Sequence, residues 1–481
     1  MQKLILNRNI KIIPNKSRNI LYRVDDFFHS PDKITPLSPA DSIFLLLFDG
    51  TRSKEDVAAD FLRIFRNLKS VNVESVLNSL KERTGISDLL EDSSEYTAVE
   101  IERYGNRVDP LTLLIKREDF DMKGGDLRLD APLSLNFNVA TACPFSCLYC
   151  YHPLNEVKPF ISLERLKVIL REFKDNGCES VMLTGGDPML RPDIDEVMAY
   201  LNEIGLFYTL STKSVLSKER IDELVSRAGL DRIQISLDDS RSEVVEFLTG
   251  AGKGYFEACV RQIEYMQGKG IDVRVKSVLT SYNADNISSY LDFLNSLSIR
   301  HVQVVSYGRS GSRHDDRLFA SRSQMENAGR AVEKARAKYG NMSIVGGGYS
   351  EAYANPVGRE TPLFDKRAVC NAGRFAVTML PNGEVSICEQ LPYDKKYIIG
   401  DLNQQGLMDW WNSGRLQKWL SPPSRDIFSV SSPCRTCPEE DYNICHRRYS
   451  RCLRFCREYL GSTEREDVKC PNADYPPLRL T

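Results

Sequence analysis

Apolar and polar positions repeat with two different periods along this chain, and the changes of period mark its parts. Near the N-terminus, "NIKIIP" and "NILYRVDD" read as short strands, and three helical patterns follow. "LSPADSIFLLLFDG" offers Ser38 as N-cap and Pro39 at the first helical position, sets Ile43, Phe44 and Leu47 on one face, and stops at Gly50. "SKEDVAADFLRIF" repeats Val57, Ala58, Phe61, Leu62 and Phe65, and "VNVESVLNSLKERTG" repeats Val73, Val76, Leu77 and Leu80, both at helix spacing. Residues 1–90 are therefore expected to form a small strand-then-helix module. The polar stretch 91–132, punctuated by Gly and Pro toward its end, is expected to be a bridging segment.

From residue 133 the pattern becomes a regular alternation. "SLNFNVA", "VMLTGG", "YTLST", "IQISLD", "VRVKSVL" and "HVQVVSY" are strand-like, with amphipathic helices between them; "YFEACVRQIEYM" puts Phe256, Cys259, Val260 and Ile263 on one stripe. Six βα units over 133–310 predict an α/β fold with a parallel sheet, curled or open, and chemistry at the carboxyl ends of its strands. Beyond about residue 310 the alternation fades. Residues 311–364 are expected to connect to a cysteine-dense region, 365–481.

Composition narrows the function classes. A chain of 481 residues can bury several cores, and its net charge of -2 gives no bulk attraction to nucleic acid or to acidic membranes. The N-terminal "MQKLILNRNIKIIPNKSRN" is broken by Asn, Lys and Arg before any apolar run reaches signal-peptide or membrane-span length, which predicts a cytoplasmic protein. Eleven of the thirteen cysteines fall in two clusters, a distribution that favours metal binding or catalysis over a disulfide framework.

The first cluster is "TACPFSCLYCYH", with Cys143, Cys147 and Cys150 just past the first strand of the βα series. Three thiolates within eight residues can wrap one face of an iron-sulfur cluster, or contribute to a zinc site. The next strand ends in "TGGDP". Together these features resemble the radical S-adenosylmethionine (radical SAM) superfamily, whose partial (β/α)6 barrel carries CxxxCxΦC after strand one and a GGE-like motif after strand two. Tyr149 stands at the aromatic position. The resemblance implies that Cys143, Cys147 and Cys150 hold a four-iron cluster whose open iron takes the amino and carboxylate groups of SAM. It further implies that Gly185 and Gly186 permit close backbone approach, with Asp187 in place of the common Glu near the methionyl amine. Ser211 and Thr212 on strand three and Ser236 and Asp238 on strand four become candidate ribose contacts. The Arg that many relatives carry before a Gly is missing from "FLTGAGKGYF", and Lys276 on strand five is a candidate substitute. Cys178 and Cys259 read as core residues, and His152 as a bystander.

The second cluster comprises Cys370, Cys388, Cys434, Cys437, Cys445, Cys452, Cys456 and Cys470, enough for two fully ligated four-iron clusters. Taken alone, it suits zinc equally well. Cys370, Gly383 and Cys388 match the Cx9-15Gx4C opening of the SPASM domain, which carries auxiliary clusters in many peptide-modifying radical SAM enzymes. After Cys434 and Cys437 the spacing departs, with x7 and x6 where the family has x5 and x3. The resemblance implies an outer cluster on Cys434, Cys437, Cys445 and Cys470. The inner one would use Cys370 and Cys388 with Cys452, Cys456 or both.

"ITPLSPADSIFLLLFDGTRSKEDVAADF" is similar to a PqqD-like, winged-helix peptide-recognition element. That similarity implies a groove for a leader peptide, formed by the third strand near Ile20 to Val24 and the third helix near Val73 to Leu80. The order of recognition element, barrel and SPASM domain is that of maturases of ribosomally synthesised, modified peptides. The expectation is an oxidoreductase-type radical SAM enzyme using SAM and three 4Fe-4S clusters, one SAM-binding and two auxiliary. It would bind a ribosomal precursor peptide through its leader and take electrons from a donor such as flavodoxin or ferredoxin. A hydrogen abstracted by a 5′-deoxyadenosyl radical would lead to a thioether or carbon-carbon crosslink. Two other readings stand beside it: a formylglycine-forming enzyme like the anaerobic sulfatase maturases, and a non-enzymatic winged-helix regulator with a metal-binding tail.

Overall fold

The computed structural model describes residues 2–15, 17–23, 34–105, 109–120, 128–153, 158–311, 313–346, 370–449, 451–470 and 472–473. The chain divides into two compact units, residues 1–130 and 131–481.

In the first unit, β1 (Leu4–Leu6), β2 (Ile10–Ile13), β3 (Asn19–Arg23) and β4 (Thr35–Leu37) precede three helices, α1 (Pro39–Leu46), α2 (Lys54–Ile64) and α3 (Val73–Thr84). β5 (Leu90–Asp92) and α4 (Ala98–Gly105) follow them. Each helix starts where its cap allows. Ser38 accepts from the Asp41 amide, Ser53 closes a reciprocal box with Asp56, and Asn72 accepts from the Ser75 amide. The apolar stripes of the helices meet around Phe44 and Phe61, whose rings pack edge to face at 5.4 Å between centroids.

Two features differ from the expectation. The compact unit runs past residue 90, because β5 pairs antiparallel with β1 and the buried Asn19 Nδ2 donates to the Leu113 carbonyl at 2.9 Å. β3, expected to form a leader groove with the third helix, is the middle strand of the sheet β2-β3-β4, so both its edges are paired; Val24 lies outside the described residues. The outer strand β4 has Pro36 at its centre, which withholds one amide donor.

The second unit is built on one sheet. β6 (Ser134–Ala140), α5 (Leu163–Asp175), β7 (Ser180–Gly185), α6 (Ile194–Glu203), β8 (Phe207–Thr212), α7 (Lys218–Ala228) and β9 (Arg232–Ser236) open the series. α8 (Ser242–Thr249), α9 (Tyr255–Gly268), β10 (Asp272–Leu279), α10 (Ile287–Ser296), β11 (His301–Ser306), α11 (Arg322–Lys338) and β12 (Ser343–Gly346) continue it. Thus α11 and β12 extend the βα alternation into the stretch where the sequence pattern had faded. β13 (Ala376–Met379) then pairs parallel to β6, and β14 (Glu384–Ser386) and β15 (Ile398–Asp401) follow antiparallel. The order β12-β11-β10-β9-β8-β7-β6-β13-β14-β15 joins the barrel strands and the cysteine-rich region in one sheet. Short helices α12 (Leu407–Trp411), α13 (Gly414–Leu420), α14 (Glu439–Asn443) and α15 (Leu453–Leu460) complete the unit.

The period-two pattern splits this sheet into two chemically different faces. Leu135, Phe137, Val181, Leu183, Ile233, Ile235, Val275, Val302 and Val304 enter the main apolar core with the covering helices. Asn136, Asn138, Thr184, Ser211, Gln234, Ser236, Lys276 and Gln303 alternate with these and share the other, concave face. Met182, Val278 and Val305 also lie on this face, and its many hydrogen-bonding groups fit it to meet something polar. No described helix is long and apolar enough to cross a membrane.

Candidate functional site

The loop after β6 carries Cys143, Cys147 and Cys150, and backbone bonds from three directions hold it. The amides of Ser146 and Leu148 donate to the carbonyls of Thr249 and Leu248, at the end of α8, at 3.0 and 2.9 Å. "FLTG", read in the sequence only as lacking an Arg, therefore serves as an anchor for the cysteine loop. From the other side, Arg313 Nη1 donates to the Cys147 carbonyl and Ser310 Oγ to the Cys150 carbonyl, both at 3.2 Å.

The third support is the glycine pair at the end of β7. The Gly186 amide donates to the Ala140 carbonyl at 2.7 Å and the Asp187 amide to the Ala142 carbonyl at 2.8 Å. A Cβ on Gly185, which sits at φ +124°, would lie 2.3 Å from the Ala140 oxygen, and one on Gly186 would lie 2.0 Å from the Ala142 oxygen. The space left by these two glycines is thus taken by the backbone that leads into Cys143.

Asp187 faces inward and is almost completely buried. Its carboxylate accepts from the amides of Met189, Lys213 and Ser214 at 3.0, 3.1 and 3.2 Å and from Thr212 Oγ1 at 2.8 Å. The pair Asp187 and Thr212 therefore ties the end of β7 to the end of β8. Ser211 Oγ accepts from Gln234 Nε2 at 2.8 Å, and Ser236 Oγ accepts from the same amide at 3.4 Å.

Asp238, also buried, accepts from the Val278 amide at 2.9 Å, from the Tyr149 hydroxyl, and from Lys213 Nζ at 3.5 Å. The Lys213 ammonium lies 5.4 Å from the centroid of the Tyr149 ring. Burial opposes its charge, but Asp238 and Cys147 outweigh burial and the Lys213 pKa is raised. Lys213 acts electrostatically on all three cysteines of the loop. Sequence reasoning passed over this residue. Its position directly after Thr212 at the end of a barrel strand was the available signal. Lys276, the cation singled out from sequence, instead faces Glu389 and Lys213.

The three thiols suit a cluster. They lie within electrostatic reach of one another, and burial pushes all of them up, Cys147 to about 12. Protein alone would keep them protonated, and a bound cation-rich group is what turns such thiols into thiolates. Among the described residues no group of His, Cys, Asp or Glu closes to the spacing of a single metal ion, and all thirteen cysteines are free. A cube several atoms across asks for a wider arrangement than one ion does.

The C-terminal cysteines fall into two sets by the same electrostatic proximity. Cys388 feels Cys370 and Cys452, while Cys434, Cys437, Cys445 and Cys470 feel one another. Cys456 lies between the sets, near both Cys452 and Cys434, and its Sγ donates to the Glu466 carbonyl at 3.3 Å. The x7 spacing before Cys445 is taken up by α14 and by the π-helical turn Ile444–Tyr449 that continues it.

This region also reaches the concave face. Asn136 Nδ2 donates to Glu389 Oε2 at 3.2 Å, and Asn138 Nδ2 to the Tyr393 hydroxyl at 3.1 Å. Buried His152, whose pKa desolvation lowers to about 4, meets the Tyr393 hydroxyl through Nε2 at 3.0 Å. It is a neutral link between the cysteine loop and the C-terminal region.

Residues 137–297 match the family model of the Radical SAM superfamily, and residues 370–438 match that of SPASM, an iron-sulfur cluster-binding domain. A PqqA peptide cyclase of Gluconobacter oxydans (strain 621H) is 27% identical over 351 residues, covering 72% of this chain and 92% of that protein. Streptococcus suis SuiB bound to S-adenosylmethionine shares the fold with a TM-score of 0.60 at 18% identity, over 97% of this chain and 99% of that one. SuiB bound to its precursor peptide SuiA superposes with a TM-score of 0.59 at 18% identity, over 92% and 94%.

Proposed function

We propose that the chain, with a match to the Radical SAM superfamily ahead of a match to SPASM, is an enzyme of the radical SAM/SPASM type with oxidoreductase chemistry that installs a thioether or carbon-carbon crosslink in a ribosomally made precursor peptide. The observation that carries this reading is that the strand leading into the first cysteine loop and the residue after Cys388 meet on the same face of the sheet, where Asn136 donates to Glu389. A substrate lying there is reached from both cysteine regions. A relative named as a peptide cyclase and a similarly folded protein solved with a precursor peptide support a peptide as that substrate.

In this reading Cys143, Cys147 and Cys150 hold the SAM-binding four-iron cluster. Cys370, Cys388 and Cys452 serve an inner auxiliary cluster and Cys434, Cys437, Cys445 and Cys470 an outer one, with electrons supplied by a flavodoxin or ferredoxin. When bound, these groups supply reductive cleavage of SAM and hydrogen abstraction from an unreactive carbon. The protein's own part is placement. Gly185 and Gly186 fix the backbone before Cys143, Asp187 and Thr212 lock two strand ends together, and Tyr149, Asp238 and Lys213 set the charge beside Cys147. Ser211 and Ser236 border the concavity as ribose contacts.

The test is anaerobic reconstitution with iron and sulfide, reduction, and incubation with SAM and peptides encoded by short neighbouring reading frames. Formation of 5′-deoxyadenosine together with a peptide lighter by two hydrogens is expected. The variant with Cys143, Cys147 and Cys150 changed to Ala should give neither. Production of 5′-deoxyadenosine with every such peptide left unchanged would overturn the choice of substrate.

A further inference from the structure

Four polar groups in the second unit have capacity that the fold leaves unused, and they come from neighbouring places. Lys276 on β10 and Gln303 on β11 are register partners in the parallel sheet and share its concave face. The Lys276 ammonium makes no hydrogen bond or ion pair among the described residues, although burial is sufficient to lower its pKa. Gln303 Oε1 is buried with no partner, and so is Gln390 Oε1. Beside Gln390 stands Glu389, whose buried carboxyl accepts from Asn136 Nδ2 at 3.2 Å through Oε2 and lies within electrostatic reach of Lys276 without closing an ion pair with it. Orphaned groups of this kind are uncommon in a folded interior, and each costs free energy unless something completes it.

The chemistry of the four groups says what completes them. Lys276 can only donate. The two free glutamine oxygens and the Glu389 carboxylate accept. A ligand that satisfies all of them must present N–H donors and C=O acceptors side by side, which is the property of an extended polypeptide main chain. A cation alone would leave Lys276 unpaired and repelled. An anion alone would face Glu389 and two carbonyl oxygens. The cations that act on the thiols of the first loop are Lys213 and, at Cys150, Arg313 as well.

We propose that Lys276, Gln303, Glu389 and Gln390 form a main-chain reading site, in which the substrate peptide's carbonyls accept from Lys276 and its amides donate to the three acceptors. This deepens the function proposed above and rests on its peptide substrate. It assigns Lys276 to substrate, not to SAM. Recognition of main chain holds a segment in place whatever its side chains are, leaving side-chain choice to other contacts.

The test uses reconstituted, oxidised holoenzyme and an acetylated, amidated hexapeptide of alanine and serine, a probe with main chain and no charged group. Saturation-transfer NMR reads its dissociation constant, and SAM affinity is measured separately. Lys276→Gln and Gln303→Leu should each weaken the hexapeptide about tenfold or more, the range for hydrogen bonds to charged or buried groups. SAM affinity and iron content should hold, and Lys276→Arg should restore part of the hexapeptide binding. Failure of the wild type to bind the hexapeptide, equal binding by all variants, or a loss of SAM affinity in Lys276→Gln would each overturn the proposal. Failure of the broader reading would appear elsewhere, as a precursor peptide left unmodified by wild-type enzyme.

Discussion

Arg313 donates to the carbonyl of Cys147 at 3.2 Å, and the loop that carries Arg313 also accepts Arg454 Nη2 of α15 on the Arg309 carbonyl at 2.6 Å. α15 begins at Cys452 as its N-cap and includes Cys456. One strap after β11 therefore touches the first cysteine loop and the helix of the auxiliary cysteines. Arg313→Ala removes a charged donor worth about 1.5 kcal/mol or more. The first loop should loosen without the unit unfolding. Chelator-driven iron release at the SAM-binding cluster should accelerate about tenfold, with the melting temperature little changed; an unaltered release rate would show that the strap does not secure the loop.

Gly186 admits no side chain. The Cβ of Gly186→Ala would stand 2.0 Å from the Ala142 oxygen, and backbone on both sides fixes that distance through the bonds of Gly186 and Asp187. Relief requires moving the segment that leads into Cys143. Destabilisation of about 3 kcal/mol, at the upper end for overpacking, is expected. It should be visible in thermal melts, along with substoichiometric iron after reconstitution. Gly250→Ala, whose Cβ would meet Ser146 Cβ at a milder 3.2 Å but at φ +68°, should cost less.

The two periods of the sequence made most of this architecture legible. The strands from "SLNFNVA" to "HVQVVSY", the cap Ser38 and Pro39 at the first helical position follow from local pattern, and the structure bears them out; the helix ends earlier than Gly50, at Leu46 with Leu47 as its cap. The match of residues 137–297 and 370–438 to known families agrees with the readings made from Cys143, Cys147, Cys150 and TGGDP and from Cys370 to Cys437. What local pattern could not carry was long-range. Leu113 gives no sign that its carbonyl receives Asn19, and "RSGSRHDD" gives none that Arg313 grips Cys147. α11 and β12 were missed because β12 is four residues long at the edge of the sheet, with only Ile344 buried. Lys213 escaped because its role arises from Tyr149 and Asp238, distant in sequence and adjacent in space.

Lys213 and Asp238 form a buried pair whose halves should respond unequally to removal. Lys213→Met leaves Asp238 charged and buried at a cost of about 3 kcal/mol. It also withdraws a positive charge from beside Cys147. The reduction potential of the cluster on that loop should fall by on the order of tens of mV, read by redox titration with EPR, because net charge near a cluster sets its potential. The double variant Lys213→Met/Asp238→Asn should recover stability and most of the potential. A double variant as perturbed as the single one would refute the pairing.

Cys452 and Cys456, one turn apart, should differ when replaced. Cys388 is influenced by Cys370 and Cys452, whereas Cys456 donates its thiol to the Glu466 carbonyl. Cys452→Ala is expected to lose about four irons per chain, one cluster's worth. Cys456→Ala should keep its iron and lose only stability, as a small buried side chain would. Equal iron loss in both variants would make Cys456 a ligand as well.

The boundary between the compact units decides how the first should be deleted. Cutting after residue 90 would leave β5 without its partner β1 and expose Leu113 where Asn19 had bonded it, so a truncation there confuses misfolding with lost recognition. Cutting after Asp130 removes one whole unit. The remaining chain, 131–481, keeps its own core and all eleven clustered cysteines, so it should take up iron and form 5′-deoxyadenosine from SAM at a rate near that of the full chain. If residues 1–130 capture the precursor's leader, the truncated enzyme should need a far higher precursor concentration for the same rate, with KM raised about a hundredfold and kcat within a few-fold. Supplying the leader as a separate peptide should then inhibit the full chain and leave the truncated one unaffected. An unchanged KM after clean removal of residues 1–130 would assign precursor recognition to the second unit alone.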